Sequence, residues 1–347
     1  MDLFATVEAL GHEQVVICHD PGADYRAIIA IHSTALGPAV GGTRLRRYAS
    51  EDEALFDALR LSRGMTYKNA AAGLPLGGGK AVILGDGARQ DRKRLFRTHS
   101  RFVERLGGRF ITGQDLGTST ADMEYMTRAH KGEDPSPWTA RGVLRAMQAA
   151  AKQRWGSEEL TGKTVALQGC GNVGLELARL LHAAGARLVA TDADPLRLEE
   201  VARELGAAPV ELAAIYDARA DIFAPCALGA VLDERTIPRL RVEIVAGAAN
   251  NQLRDEDRHG RLLEERGILY APDFVANSGG IIWAAVDLLG WEPRRAAERI
   301  DGIYDTMLSL FAAAQRDRVP PQVAANRLAE SRLRDGAVAT ELSGKGG

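Results

Sequence analysis

Lys68 and Lys80 bracket a glycine-rich run, Asn69–Gly79, in RGMTYKNAAAGLPLGGGK. The chain otherwise prefers arginine, since only seven of its 44 basic residues are lysine. An ammonium can be moved toward neutrality by burial or a neighbouring cation and then take up a proton, whereas a guanidinium stays charged. Glycines beside it let a backbone or ligand approach closely. The pair reads as a site in which one lysine holds an anion and the other does acid–base chemistry. The competing reading is two surface lysines beside a turn.

Other residues add to this chemistry. Asp115 follows a strand-like run, Arg109–Thr112, at the strand end where α/β proteins place reactive groups. A carboxylate beside a lysine pair relays protons and offsets charge; taken alone, a turn or helix-capping aspartate is the stronger reading. Asn250–Asn251 in AGAANNQL suits a polar ligand or an Asx turn equally. In TVALQGCGNVG, Gly169, Gly171 and Gly174 fit G-x-G-x-x-G, with Asn172 and Val173 between them and Asp192 ending the next strand. A strand, a glycine turn, a helix and a following carboxylate form a dinucleotide site, and the carboxylate favours NAD over NADP. Arg197 stands near that carboxylate and weakens the preference. The alternative is a glycine turn that binds nothing. GGGK also invites a phosphate-binding loop, but Leu74 and Ala81 occupy positions that need Gly and Ser/Thr.

The elements that must position these groups alternate strand and helix. In the first part, AIIAIH (27–32) reads as a buried strand, GPAVGGTR as turn-rich, and 81–84 and 109–112 as strands. Ser50 with Glu53 reads as a capping box opening a helix through Leu61, and 92–106 as an amphipathic helix. After a Pro-rich boundary at 132–137, βα units recur: strands at 164–168, 187–190, 222–224, 242–246 and 268–270, then helices at 296–316 and 321–333. That pattern predicts a doubly wound parallel sheet.

Bulk composition bounds the function. A 347-residue chain, 46% hydrophobic and 26% charged, is long enough for two domains, each with its own core. A net charge of −2 argues against nucleic-acid or membrane-surface binding. Three dispersed cysteines form no metal cluster and fit a reducing compartment. With no leader-like or spanning apolar run, the expectation is a cytoplasmic protein without a metal.

Together GGTR, RLSRGMTYKNAAAGLPLGGGK, GQDLGT, PSPWTARGV, LQGCGNVG, DIFAPCALG, IVAGAANNQL and LYAPDFVANSGG resemble the Glu/Leu/Phe/Val amino-acid dehydrogenase family, nearest its leucine, phenylalanine and tryptophan dehydrogenase branch. The resemblance covers nearly the whole chain. It implies two α/β domains around a cleft: residues 1–134 for substrate and oligomerisation, with helices in 319–347 packing back on them, and residues 135–318 as a Rossmann-type NAD domain. The implied reaction takes an amino acid, NAD⁺ and water reversibly to a 2-oxo acid, ammonia and NADH. By the same resemblance, Lys68 binds the substrate carboxylate, Lys80 with a lowered pKa activates water, and Asp115 moves protons at the amine. Gly42 and Asn250 hold substrate, Thr139 bonds the nicotinamide carboxamide, and Ala248 and Asn250 lie at the cofactor. Val40, Gly113, Ile281 and Ala284 map to the side-chain pocket, with Trp283 lining it or packing beneath. Glycine at 113 is typical of aromatic-specific relatives, alanine of leucine-specific ones, so an aromatic or large apolar substrate is expected and a branched-chain one is the alternative. The stretch between Met123 and Pro135 is shorter than the family's. A homo-oligomer is implied. Other classes, an impaired NAD-binding regulator or a lysine Schiff-base enzyme, stay open at this stage.

Overall fold

The computed structural model describes residues 2–86, 91–130 and 132–344, the side chains of 337–344 excepted. It divides into two compact units, Met1–Glu133 with Ala329–Gly347, and Asp134–Leu328.

The first unit runs α1 (Leu3–Leu10), β1 (Gln14–Asp20), β2 (Tyr25–Ser33), β3 (Ala39–Arg46), α2 (Glu51–Ala72), β4 (Gly77–Leu84), α3 (Arg92–Glu104), β5 (Phe110–Gln114) and α4 (Thr120–Met123). Its sheet has the order β1-β2-β4-β3-β5, with β1 and β2 antiparallel and β4, β3 and β5 mutually parallel. Alternation along the strands sorts side chains between two helix layers. Ile28, Ala30 and Val82 face Ala54, Ala58 and Leu59 of α2, while Ile29, Ile31 and Ile83 join Leu95, Phe96 and Val103 of α3.

Three local expectations need correction. All of GPAVGGTR after Pro38 is strand β3, and the strand expected at 81–84 begins earlier, at Gly77, as β4. Glycine lowers strand propensity on average, but here the helix packing overrides it. At the start of α2 the Ser50 side chain accepts from the Glu53 amide, whereas the Glu53 carboxylate accepts from the Ala49 amide, one residue short of the reciprocal box.

The second unit holds α5 (Ser136–Trp155), β6 (Thr164–Gln168), α6 (Asn172–Ala183), β7 (Arg187–Thr191), α7 (Pro195–Leu205), β8 (Ala208–Pro209), β9 (Ile222–Pro225), β10 (Ile244–Val245), α8 (Glu256–Glu265), β11 (Leu269–Tyr270), α9 (Asp273–Ala276), α10 (Gly279–Leu289), α11 (Pro293–Asp301), α12 (Ile303–Asp317) and the start of α13 (Pro321–Gly344). The run read as one helix over 296–316 breaks at Gly302. The sheet is wholly parallel in the order β11-β10-β9-β6-β7-β8, so the unit's first strand sits centrally and the chain switches direction between β6 and β9. That is the doubly wound dinucleotide-binding order, and ligands bind at the carboxyl ends beside the switch. Buried runs Val165–Leu167 and Ile222–Ala224 fit strands covered on both faces.

A directed polar chain crosses the first unit's core. Tyr25 Oη lies 2.7 Å from His99 Nδ1, His99 Nε2 lies 2.8 Å from Thr43 Oγ1, and that hydroxyl lies 2.6 Å from Thr112 Oγ1. A neutral imidazole has one donor and one acceptor, so it fits this chain; burial pushes His99 down to about 3. His32, bonded to Thr66 Oγ1 and to the Leu10 carbonyl, is also lowered to about 3, first by burial and then by His12 and Arg63.

Both imidazoles stay neutral in the fold, whereas the unfolded chain protonates them below about 6.5. Between those limits the unfolded state binds more protons, so stability falls as pH falls, by about 1.4 kcal/mol per unit for each imidazole. Urea unfolding should give a free energy lower by roughly 3 kcal/mol at pH 5 than at pH 6.5 from these two groups, since the unfolded imidazoles are only half protonated at the upper pH. Equal free energies at the two pH values, in wild type and in His99→Gln, would contradict this.

Candidate active site

The first cluster is built on missing side chains. A Cβ on Gly78 would lie 2.1 Å from the Thr66 amide of α2, and one on Gly41 would lie 1.8 Å from the Gly79 carbonyl. One on Gly79 would meet the Phe110 ring at 2.7 Å. The glycines let α2 and the neighbouring strands settle directly against β4. Asn69 Nδ2 closes the contact by donating to the Gly77 carbonyl at 2.6 Å.

Lys80 shares the α2-facing side of β4 with Gly78 and Val82, and only 6% of it is exposed. Its Nζ lies 2.8 Å from Asp115 Oδ2. Gly42 makes this possible: a Cβ there would stand 2.6 Å from the Gln114 carbonyl and 2.8 Å from Asp115 Cβ. Thr118 Oγ1 holds the following turn, accepting from the Asp115 amide and donating to the Thr43 carbonyl. Burial opposes charge on Asp115, but Lys80 and then Arg44 outweigh it and hold the carboxyl well below the usual carboxylate range. Lys68 is half-buried on α2, the helix seated on this strand.

Arg44 was not singled out by the sequence reading. It donates from Nε to Asp115 Oδ2 at 2.9 Å and from Nη1 to Asp57 Oδ2 at 3.0 Å. Its Arg type within GGTR was the only signal available, because Asp57 and Asp115 are remote in sequence.

Of the expected pocket residues, Val40 and Gly113 lie in this unit on β3 and β5, with Val40 buried. Among the described residues a methyl on Gly113 would meet one atom within 4 Å, His130 Cβ at 3.8 Å, which is ordinary contact. The short stretch after Met123 lays residues 128–130 along the free edge of β5, bonded at Thr112; its Lys131 is outside the described residues. Ile281 and Ala284 belong to the second unit on α10, with Ala284 buried. Trp283 stacks on Trp138 at 3.7 Å, which is the packing reading of that residue.

In the second unit the glycine turn has the form a dinucleotide needs. Gly169 takes a φ of +101°, and a Cβ there would meet the Ala227 amide at 2.9 Å. A Cβ on Gly174 would lie 2.0 Å from the Gly169 carbonyl, so α6 starts hard against β6. Gly171 is the N-cap of α6 and no side chain caps that terminus, leaving the Asn172 and Val173 end of the helix dipole for an anion. Asp192 is fixed by the Cys170 amide at 2.6 Å and the Asp194 amide at 2.7 Å. Arg197 lies near Gly171 and pairs with Asp194 at 3.5 Å. The residues fit a dinucleotide.

Thr139 Oγ1 donates to the Pro135 carbonyl at 2.9 Å and keeps its acceptor capacity. Asn277 sets the amide cluster, donating from Nδ2 to Asn250 Oδ1 at 2.9 Å and to the Ala248 carbonyl at 3.0 Å. Asn277 lies in VANSGG, where no motif marks it for such a role. Among the described residues, no group of three or more His, Cys, Asp or Glu could hold a metal ion, and no helix is long and apolar enough to cross a membrane. All three cysteines are free thiols.

Comparisons with known proteins agree over the whole length. A family model described as Glu/Leu/Phe/Val dehydrogenase, dimerisation domain, matches residues 12–131. One described as Glutamate/Leucine/Phenylalanine/Valine dehydrogenase matches 134–195 and 196–340. A leucine dehydrogenase of Thermoactinomyces intermedius is 50% identical over 344 residues, covering 96% of this chain and 94% of that one. An L-tryptophan dehydrogenase of Nostoc punctiforme is 47% identical over 341 residues, covering 96% of each. The crystal structure of L-tryptophan dehydrogenase from Nostoc punctiforme superimposes with a TM-score of 0.82, covering 96% of this chain and 99% of that chain.

The glycines set a contrast that can be measured. Gly42→Ala should cost about 1–3 kcal/mol in urea unfolding, because its methyl meets backbone. In its crystal structure Asp115 should have moved away from Lys80. Gly113→Ala should stay within about 0.5 kcal/mol of wild type. Equal costs for the two would refute this account of Gly42.

Proposed function

The chain belongs to the Glu/Leu/Phe/Val dehydrogenase family, and from that premise we propose that it oxidatively deaminates an aromatic or large apolar L-amino acid with NAD. That it is an amino-acid dehydrogenase follows from the family. The family is nicotinamide-dependent; the choice of NAD rests on Asp192, whose carboxylate suits a ribose hydroxyl and repels a 2′-phosphate. The observation that carries the catalytic reading is the buried Lys80–Asp115 contact beside the helix bearing Lys68.

Lys68, as a fixed cation, pairs with the substrate carboxylate, and Gly42 of the same unit borders the amino acid. Thr139, Ala248 and the Gly169–Gly174 turn would hold a nicotinamide dinucleotide, which would supply the acceptor for a hydride from the α-carbon. Loss of that hydride and of an amine proton leaves an iminium carbon. Lys80, its proton passed toward Asp115, removes a proton from water as the oxygen bonds to that carbon. Asp115 returns a proton to nitrogen, and the C–N bond breaks as the hydroxyl on that carbon gives its proton to the Asp115 carboxylate, leaving 2-oxo acid and ammonia. A base working near neutral pH next to a permanent anion clamp needs this division of roles.

The lean toward a large side chain rests on Gly113, whose missing methyl leaves space beside His130. One methyl discriminates by about 1–3 kcal/mol. A homo-oligomer is part of the same proposal. It is supported by the description of residues 12–131 as a dimerisation domain and by β1, an edge strand with Ile17 73% exposed.

NADH-monitored turnover over a panel of amino acids should show oxidation that Lys80→Ala reduces by on the order of 10³-fold. Oxidation of none of them, with no 2-oxo acid aminated, sinks the proposal. Gly113→Ala should move the ratio of phenylalanine to leucine turnover toward leucine by roughly 10-fold; an unmoved ratio removes the case for position 113. Light scattering should report an oligomer in wild type and smaller particles for Ile17→Lys, whereas a monomeric wild type contradicts the assembly.

A further inference from the structure

Arg44 has no part in the steps above, yet it shares an atom with them. Asp115 Oδ2 receives both Lys80 Nζ at 2.8 Å and Arg44 Nε at 2.9 Å. Behind Arg44, Asp57 Oδ2 accepts from Arg44 Nη1 at 3.0 Å and from the Tyr48 hydroxyl at 2.7 Å. The side chains of Arg44 and Asp57 are mostly shielded, at 16% and 17% exposure, so water screens little of this charge. The guanidinium is thus held from α2 and presented to a catalytic oxygen by β3.

The arrangement has a consequence for a base. When Lys80 gives up its proton, Asp115 loses one of its two cations and becomes the nearest place for that proton to stay. A permanently charged second donor on the same oxygen opposes this, because a guanidinium does not deprotonate. We infer that Arg44 is a positioning residue that keeps Asp115 ionised and aimed at Lys80, so that Asp115 relays the proton without retaining it. This rests on the proposed roles of Lys80 and Asp115. The groups facing Asp115 are Arg44 from β3, Lys80 from β4 and the Leu116 amide of its own turn, with Thr118 on its backbone. From α2, Asp57 acts through Arg44, and the same helix carries Lys68.

The test follows the Asp115 carboxyl in protein without added cofactor, using ¹³C-aspartate NMR assigned with Asp115→Asn. In Arg44→Met its titration midpoint should rise by about one unit or more, and Arg44→Lys should restore most of the difference. Asp57→Asn, which loosens the guanidinium without removing it, should give a smaller rise. In parallel, kcat of Arg44→Met should fall about 10- to 100-fold with little change in amino-acid KM, and the acidic limb of its pH profile should move upward. An unmoved midpoint in both Arg44→Met and Asp57→Asn overturns the inference, as does a lowered melting temperature with an unchanged pH profile. If wild type turns over no amino acid, the functional proposal fails, and the carboxyl titration still decides the part played by Arg44.

Discussion

The first unit depends on a contact that side chains would forbid. Helix α2 lies against β4 because Gly78 offers no Cβ where the Thr66 amide sits, and β3 lies against β4 because Gly41 offers none at the Gly79 carbonyl. Close approach of backbone to backbone is the use of glycine that offsets its entropic cost in a strand. From it follows the position of Lys80, whose stem leaves the strand under a helix and not into water. From Gly42 follows the position of Asp115, which occupies the volume a side chain would fill.

Burying charge is the second constraint, and it explains why the site is a network. An ammonium or carboxylate removed from water is stable only if its partners replace the lost hydration. Lys80 and Asp115 do this for each other, and Arg44, Asp57 and Tyr48 continue the pairing outward. Two cations and two carboxylates balance, so no uncompensated charge is left inside. The neutral chain from Tyr25 through His99 to Thr43 and Thr112 anchors the adjacent stretch of β3 by the opposite strategy, with an imidazole that burial keeps uncharged. One strand therefore carries a charged network at Arg44 and an uncharged one at Thr43, on opposite faces.

How much of this was legible in the sequence follows from the range of each signal. The dinucleotide turn was readable because strand, glycines, helix and Asp192 lie within thirty residues and are dictated by local backbone geometry. Lys80 and Asp115 were readable as residue types, and their contact was only implied by resemblance. The start of β4 at Gly77 and the strand within AVGGTR are not legible because glycine marks turns on average, while here its lack of a side chain serves packing against α2 and between strands. Arg44 escaped because its meaning lies in Asp57 and Asp115, 13 and 71 residues away. No periodicity or spacing encodes such a pairing. Asn277 escaped for the same reason, its partners at Ala248 and Asn250 meeting it only through the fold.

Under the proposed function, the reacting groups belong to rigid, crowded elements, whereas the position proposed to choose the substrate side chain lies where crowding stops. Around Gly41, Gly42 and Gly78 an added methyl meets backbone, so the reacting groups cannot drift without unfolding cost. At Gly113 an added methyl meets, among the described residues, only His130 Cβ at 3.8 Å, so that position can change with little penalty to the fold. A difference of one methyl shifts preference by only about 1–3 kcal/mol, which is small beside the cost of disturbing the charged network. The same reaction can therefore pass between side chains as different as those of leucine and tryptophan, the substrates named for two relatives of nearly equal identity to this chain. On the proposed roles, specificity falls to the tolerant positions, because the intolerant ones are already committed to holding Lys80 and Asp115 together.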